Sequence, residues 1–234
     1  MSLWNPLEEA VLAETLEALP LTSDSRVLDI GCGKGRLLLD ILQRFGGSGV
    51  GVDPHPEAIA AALVDAEERG LTQQVQFLQE NFEAERHAAA PFDLTLCLGA
   101  SQALGTLEEA IPQLHHLLAP QGLLLLADGY WQSTPSADYL SFLGCSESEL
   151  HTFDALQAHL QAQGFDVLRA HETSVDAWDR YEDAYADNLF QFLEQHPDDP
   201  DATYFRERIT AWRDAYRNLG RGVLGFGLFL LRRR

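Results

Sequence analysis

Five short and nearly continuous apolar runs constrain this chain more than any other feature: Arg26 to Ile30, Gly49 to Val52, Val75 to Leu78, Leu94 to Leu98 and Leu123 to Ala127. Runs of this kind, without the polar alternation of a half-exposed strand, belong to strands covered on both faces. The stretches between them read as helices over Gly35 to Phe45, Pro56 to Arg69 and Thr106 to Leu118, the last closed by the turn Ala119-Pro120-Gln121-Gly122. A further helix, Leu150 to Gln163, ends at Gly164; Phe165 to Ala170 then reads as a sixth strand and Val223 to Leu231 as a seventh. The expectation is an α/β fold built on a seven-stranded, mostly parallel sheet with helices on both faces.

Apolar residues Leu7, Val11, Thr15/Leu16 and Leu19 predict an amphipathic helix ahead of Pro20. Two connections are too long for simple turns. One, Gly129 to Glu149, follows the fifth strand. The other carries Trp178, Tyr181, Tyr185, Leu189 and Phe192, then Phe205, Ile209, Trp212, Tyr216 and Leu219, each set at helical spacing around the turn His196-Pro197-Asp198-Asp199-Pro200. This predicts a helical cap inserted before the last strand, so that residues 1–234 form one domain with cap elements at 129–149 and 174–220.

Composition narrows the partners. The chain has 36 acidic and 16 basic residues, a formal charge of -20, which repels a phosphate backbone or an anionic leaflet. Nucleic acid and membrane are thus excluded as expected partners, and a small-molecule substrate is expected, handled by a monomer or homodimer. The first twenty residues lack a basic n-region and carry acids throughout, and Cys32, Cys97 and Cys145 have neither zinc-site nor disulfide spacing. A cytoplasmic protein is the expectation.

The chemistry concentrates in Val27-Leu28-Asp29-Ile30-Gly31-Cys32-Gly33-Lys34-Gly35-Arg36. Three glycines stand where a buried strand must turn sharply into a helix, and they let a ligand approach the backbone closely. A dinucleotide fingerprint, G-x-G-x-x-G, needs glycine where Arg36 stands. Asp29 either caps the amides of its own turn or receives the amino group of an amino-acid-bearing ligand.

The pattern D-x-G-x-G-x-G after an apolar strand resembles the first motif of the class I S-adenosylmethionine-dependent methyltransferases, and the resemblance covers roughly residues 26 to 130. It implies a Rossmann-like sheet, S-adenosyl-L-methionine as cofactor and S-adenosyl-L-homocysteine as product. The cofactor-binding set it implies begins with Asp29, Gly31, Cys32, Gly33 and Gly35. Asp53 with Pro54 follows at the end of the second strand, where a carboxylate accepts both ribose hydroxyls. The acid expected after the third strand falls on Asn81, with Glu80 as the alternative and Phe82 placed to lie against the adenine. Gly99 and Ala100 offer backbone to the methionine part. The runs Asp128-Gly129-Tyr130-Trp131, Trp178 to Glu182 and Trp212 to Tyr216 resemble an uncharacterised bacterial subgroup of that family.

The implied reaction is in-line displacement at the sulfonium methyl, which requires no protein nucleophile; the thiols of Cys32 and Cys97 read as packing groups, and His55, His115 and His116 as rim or surface residues. Asp128, leaving the carboxyl end of the fifth strand, is the candidate catalytic residue and substrate contact. Trp131, Trp178, Tyr181 and Arg213 are the candidate substrate-binding residues. Leu98-Gly99-Ala100-Ser101 lacks the Asp/Asn-Pro-Pro-aromatic loop of the enzymes that methylate nucleic-acid amino groups. Two other readings stand beside this one: a noncatalytic S-adenosylmethionine-binding module that presents its acidic cap to a protein partner, and a nicotinamide-dependent oxidoreductase, which the glycine spacing opposes.

Overall fold

The structure, a computed structural model, describes residues 5–87 and 91–234. In chain order its elements are α1 (Glu9–Glu17), β1 (Arg26–Ile30), α2 (Arg36–Phe45), β2 (Ser48–Asp53), α3 (Pro56–Glu68), β3 (Val75–Gln79), α4 (Ala84–His87), β4 (Phe92–Leu98), α5 (Leu107–Leu117), β5 (Leu118–Trp131), α6 (Ala137–Leu143), α7 (Phe153–Ala162), β6 (Phe165–Glu172), α8 (Val175–Gln195), α9 (Ala202–Ala215) and β7 (Leu224–Arg233). The strands form one seven-stranded sheet in the order β3-β2-β1-β4-β5-β7-β6. Pairing is parallel from β3 through β5, and β7 runs antiparallel to both β5 and β6. The expected Rossmann-like, mostly parallel architecture is present.

The continuous apolar runs are explained by two cores, one on each face of the sheet. On one face Val27, Leu94, Leu96 and Leu125 meet α1, α2 and α3; on the other Leu28, Ile30, Cys97, Leu124 and Leu126 meet α5 and α7. Helix α2 shows how sequence sets this packing: Leu38, Leu39, Ile41 and Leu42 are buried, while Arg36, Asp40 and Arg44 face water. At α5, Thr106 caps the helix by accepting from the Glu109 amide while the Glu109 carboxylate accepts from the Thr106 amide.

Four local differences from the sequence reading have physical causes. The turn Ala119-Gly122 does not end a helix ahead of a strand; it lies within β5 as an irregularity, between Leu118, which pairs with Phe92, and Leu123, which pairs with Leu94. Strand β5 continues to Trp131, because β7 is long enough to pair Asp128 through Trp131 with Gly227 through Leu224, so residues 129–131 are strand rather than cap. The helix expected from Leu150 begins at Phe153, since Thr152 bridges to Trp131 and then caps α7. Helix α9 stops at Ala215, and Tyr216–Gly220 widens into a π-helical turn.

Helices α8 and α9 pack against each other, and α8 docks on the sheet through its first turns. Trp178 of α8 meets Phe226 of β7 edge-to-face at 6.0 Å and stacks on Tyr216 at 6.3 Å. The segment before α1 braces this end: Glu8 accepts from the Ser174 amide and hydroxyl at 3.2 and 2.8 Å and lies 3.0 Å from His171. Among the described residues, no helix is long and apolar enough to cross a membrane.

Candidate functional site

In the strand order, β1 and β4 are neighbours whose connections depart to opposite sides, the position at which open α/β sheets form a ligand crevice. The turns after both strands meet there. Gly31, Gly33 and Gly35 all adopt positive φ, at 69°, 52° and 69°, a backbone region that side chains with a Cβ avoid. Each glycine has a different environment. A Cβ on Gly31 would stand 2.6 Å from the Ala100 Cβ, and one on Gly35 would stand 2.4 Å from Phe77 Cζ. One on Gly33 would meet nothing within 4 Å. Two of the three glycines thus serve close packing, and the middle one faces open space. Gly99, after β4, also has positive φ, 72°, and donates its amide to the Ala127 carbonyl at 2.7 Å.

Two acids frame the turn. Asp53 ends β2, only 7% exposed; its Oδ2 accepts from the Gly33 amide at 2.9 Å and its Oδ1 from the His55 amide at 2.9 Å, with His55 Nδ1 also 2.9 Å away. Pro54 is exposed beside it. Asp29 is buried in β1, and among the described residues no hydrogen bond reaches its side chain, so it is Asp53 rather than Asp29 that holds the amide of the turn. Burial, and secondly the nearby Asp53 carboxylate, push Asp29 up to about 8. Burial first, then Asp29 and Asp53, push the Cys32 thiol far above the usual range, and burial does the same to Cys97.

At the end of β3 the candidates separate. Glu80 accepts from Arg86 at 3.1 Å and lies 3.9 Å from His87, while Asn81 is exposed. Phe82 is buried and stacks on His87 with centroids 5.1 Å apart and planes 8° from parallel. One face of that ring is therefore taken by the protein itself.

Asp128 lies on β5 between Leu126 and Tyr130, which belong to the face covered by α5 and α7. Its Oδ1 accepts from the Gly129 amide at 2.7 Å, Ser101 stands beside it, and its Oδ2 is buried without a partner. Burial raises its pKa against the lowering effect of the Ser101 and Gly129 hydrogen bonds. Strand alternation thereby separates Asp128 from Trp178, which docks on Phe226 on the other face.

The four substrate candidates are not brought together. Trp131 is buried, donates to the Glu147 carbonyl at 2.8 Å and meets Tyr139 edge-on. Trp178 is locked between β7 and Tyr216. Arg213 lies over the Phe190 ring at 5.2 Å, as does Arg206 at 5.8 Å, and it is not among the residues that line the cleft between α8 and α9. Tyr181 alone of the four lines the cleft between α8 and α9.

That cleft also contains Glu182, which the sequence reading named only as the end of the run Trp178 to Glu182 and gave no role of its own. It is 4% exposed and accepts from two indole nitrogens, Trp178 at 3.0 Å on Oε1 and Trp212 at 3.0 Å on Oε2. A signal for it existed: an acid placed beside the apolar stripe Trp178, Tyr181, Tyr185, Leu189 must either spoil the packing or be satisfied within it.

Comparison with known proteins agrees with this geometry. Residues 21–182 match the sequence family described as a methyltransferase domain. The protein YjhP of Escherichia coli (strain K12), described as uncharacterized, is 30% identical over 230 residues, spanning 97% of this chain and 92% of its own. The crystal structure of a SAM-dependent methyltransferase from Geobacter sulfurreducens in complex with S-adenosyl-L-homocysteine matches with a TM-score of 0.88 at 29% identity, covering 100% of this chain and 94% of that one. A SAM-dependent methyltransferase from Thiobacillus denitrificans, also in complex with S-adenosyl-L-homocysteine, matches with a TM-score of 0.86 at 27% identity, covering 100% and 94%.

Proposed function

We propose that this chain, which belongs to the methyltransferase-domain family, transfers a methyl group from S-adenosylmethionine to a small-molecule acceptor and releases S-adenosylhomocysteine. The observation that carries the reading is the open space over Gly33, the middle glycine of a left-handed turn whose amide is tied to Asp53 and whose strand holds the unpartnered acid Asp29. The residues present fit the cofactor: a buried acid for an ammonium, a second acid for a diol, and bare backbone between them.

When bound, S-adenosylmethionine supplies a methyl group made electrophilic by its sulfonium, so no protein nucleophile is needed. The raised thiols of Cys32 and Cys97 accord with that. Asp53 offers its remaining lone pairs to the ribose hydroxyls. Asp29 answers the ammonium of the methionine part, and Gly31, Gly33, Gly99 and Ala100 provide backbone along it. Asn81, Glu80 and the free face of Phe82 receive the adenine end. For an alcohol or phenol acceptor, Asp128 is the group assigned to hold the proton, with Oδ2 free to take it. Trp131 and Trp178 act through the cap, holding in place a cover that keeps water from the acceptor.

The net charge of -20 supports a small acceptor over nucleic acid. Calorimetric titration with S-adenosylhomocysteine tests the reading, with reduced nicotinamide dinucleotide as control. Micromolar binding of the former alone, about -8 kcal/mol, is expected. Binding of the nicotinamide cofactor, or of neither by folded protein, overturns it.

A further inference from the structure

The cleft between α8 and α9 encloses about 490 Å³, within the range of small-molecule sites. Four aromatic residues, Tyr181, Tyr185, Phe205 and Trp212, line it together with Glu182 and Arg208, and Tyr181 stacks on Tyr185 with centroids 6.4 Å apart. Tyr185, Phe205 and Trp212 are 36%, 40% and 39% exposed although they face one another across a helix pair. Rings that had closed into a core would show far less surface. The two charges lining the cleft are unequal. Arg208 is exposed, where water and salt screen it, whereas Glu182 is buried and its attraction for an opposite charge is weakly screened.

Glu182 receives one indole N–H on each oxygen, so each oxygen keeps acceptor capacity toward the cleft. The two neutral donors orient the carboxylate and favour its ionised form against burial, which raises its pKa, and a cationic guest would favour that form further. A buried carboxylate surrounded by aromatic faces attracts one chemical class above others, an organic cation with an apolar body, which the rings hold by cation–π contact and the carboxylate by charge. A neutral aromatic guest fills the same volume but leaves Glu182 uncompensated, and an anion is repelled by it. The cleft is joined to the crevice of the sheet through packed side chains: Glu182 binds Trp178, Trp178 meets Phe226, and Phe226 lies 3.5 Å from where a Gly99 Cβ would stand.

We propose that the α8–α9 cleft is the recognition site for the cationic part of the methyl acceptor, an amine or quaternary ammonium bound between Tyr181, Tyr185 and Trp212 against Glu182. This deepens the methyltransferase reading and rests on it for the identification of the guest as acceptor. The test uses the full chain and three isosteric probes, benzylamine, benzyl alcohol and benzoate, with benzyltrimethylammonium as a permanent cation, followed by calorimetry and tryptophan fluorescence. Both cations are expected to bind at least tenfold tighter than benzyl alcohol, and Glu182→Gln to erase that preference while S-adenosylhomocysteine affinity stays unchanged. Equal binding of amine and alcohol, preference for benzoate, binding of no probe, or a cation preference that survives Glu182→Gln overturns the proposal. Should Glu182→Gln not fold, Tyr185→Ala replaces it: at least fivefold weaker binding of benzyltrimethylammonium is expected, and unchanged binding overturns the proposal. Titration of the same samples with S-adenosylhomocysteine keeps the two questions apart, because cofactor binding without cation binding sinks only the cleft, and the reverse sinks the methyltransferase site and with it the guest's identification as acceptor.

Discussion

The Gly33 amide donates to Asp53 Oδ2 at 2.9 Å, which fastens the glycine turn after β1 to the end of β2. One carboxylate thus both shapes the turn and, in the proposed complex, accepts the ribose hydroxyls. Asp53→Ala strands all of these donors, and the expected loss of S-adenosylhomocysteine affinity is about 2 to 4 kcal/mol. Asp53→Asn keeps one acceptor oxygen and should fall between the two. Calorimetry on both variants, with thermal melts to verify folding, checks the order; an Ala variant that is folded and binds like the parent refutes the assignment.

His55 competes for the same carboxylate. Its imidazole lies 2.9 Å from Asp53 Oδ1, yet the His55 side chain is 79% exposed, and contacts of that kind contribute little, about 0 to 1 kcal/mol. Ribose hydroxyls arriving at Oδ1 would displace the ring toward water at small cost. His55→Ala is therefore expected to leave S-adenosylhomocysteine affinity unchanged or improve it up to about fivefold. A loss beyond tenfold would make His55 a ligand contact instead of a rim residue.

Asp29 sets a pH dependence whose sign follows from its environment. Burial, then Asp53, hold it at about 8 in the fold, against about 3.9 in an unfolded chain. A raised folded-state value means that the group's contribution to stability is fully present below about pH 4 and is lost as pH rises through about 8. Between those limits the ligand-free protein should lose a few kcal/mol relative to Asp29→Asn, measured as the difference between their denaturant midpoints across pH. At pH 7 the carboxyl is mostly protonated, so pairing with a ligand ammonium must expel that proton. The binding enthalpy of S-adenosylhomocysteine should then vary with the ionisation enthalpy of the buffer in the parent protein and not in Asp29→Asn. The same slope in both would place the proton elsewhere.

The sheet was legible because its signal is local and repeated: the central strands between Arg26 and Ala127 are apolar runs buried on both faces, and the edge strand β3 keeps an apolar run although only Phe77 is buried in it. The glycine turn was legible for a related reason, since positive φ at Gly31, Gly33 and Gly35 leaves a mark in residue type. The cap was legible as two helices and illegible as a site. Helical spacing places Trp178, Tyr181 and Arg213 on their helices, but which face meets β7, the cleft or Phe190 depends on how the pair docks, and that is decided by contacts between distant segments such as Glu8 with Ser174 and Trp178 with Phe226. Asp128 shows the same limit at one residue, because its face is set by the pairing of β5 with β7, 99 positions further along the chain at Gly227.

The first and middle glycines of the turn offer the sharpest separation of packing from ligand binding. Gly31→Ala and Gly33→Ala impose a similar backbone penalty, about 1 to 2 kcal/mol for an alanine at positive φ. Beyond that they diverge. At Gly31 the new Cβ stands 2.6 Å from the Ala100 Cβ, so the turns after β1 and β4 must separate, adding about 1 to 3 kcal/mol. At Gly33 the new methyl meets nothing within 4 Å, so the fold should bear only the backbone penalty while the methyl enters the space assigned to the cofactor. The expected result is a large fall in melting temperature for Gly31→Ala, and for Gly33→Ala a small fall accompanied by at least a tenfold loss of S-adenosylhomocysteine affinity. If Gly33→Ala binds like the parent, the open space over the turn is not where the cofactor lies, and the argument from glycine geometry fails even though the family assignment stands.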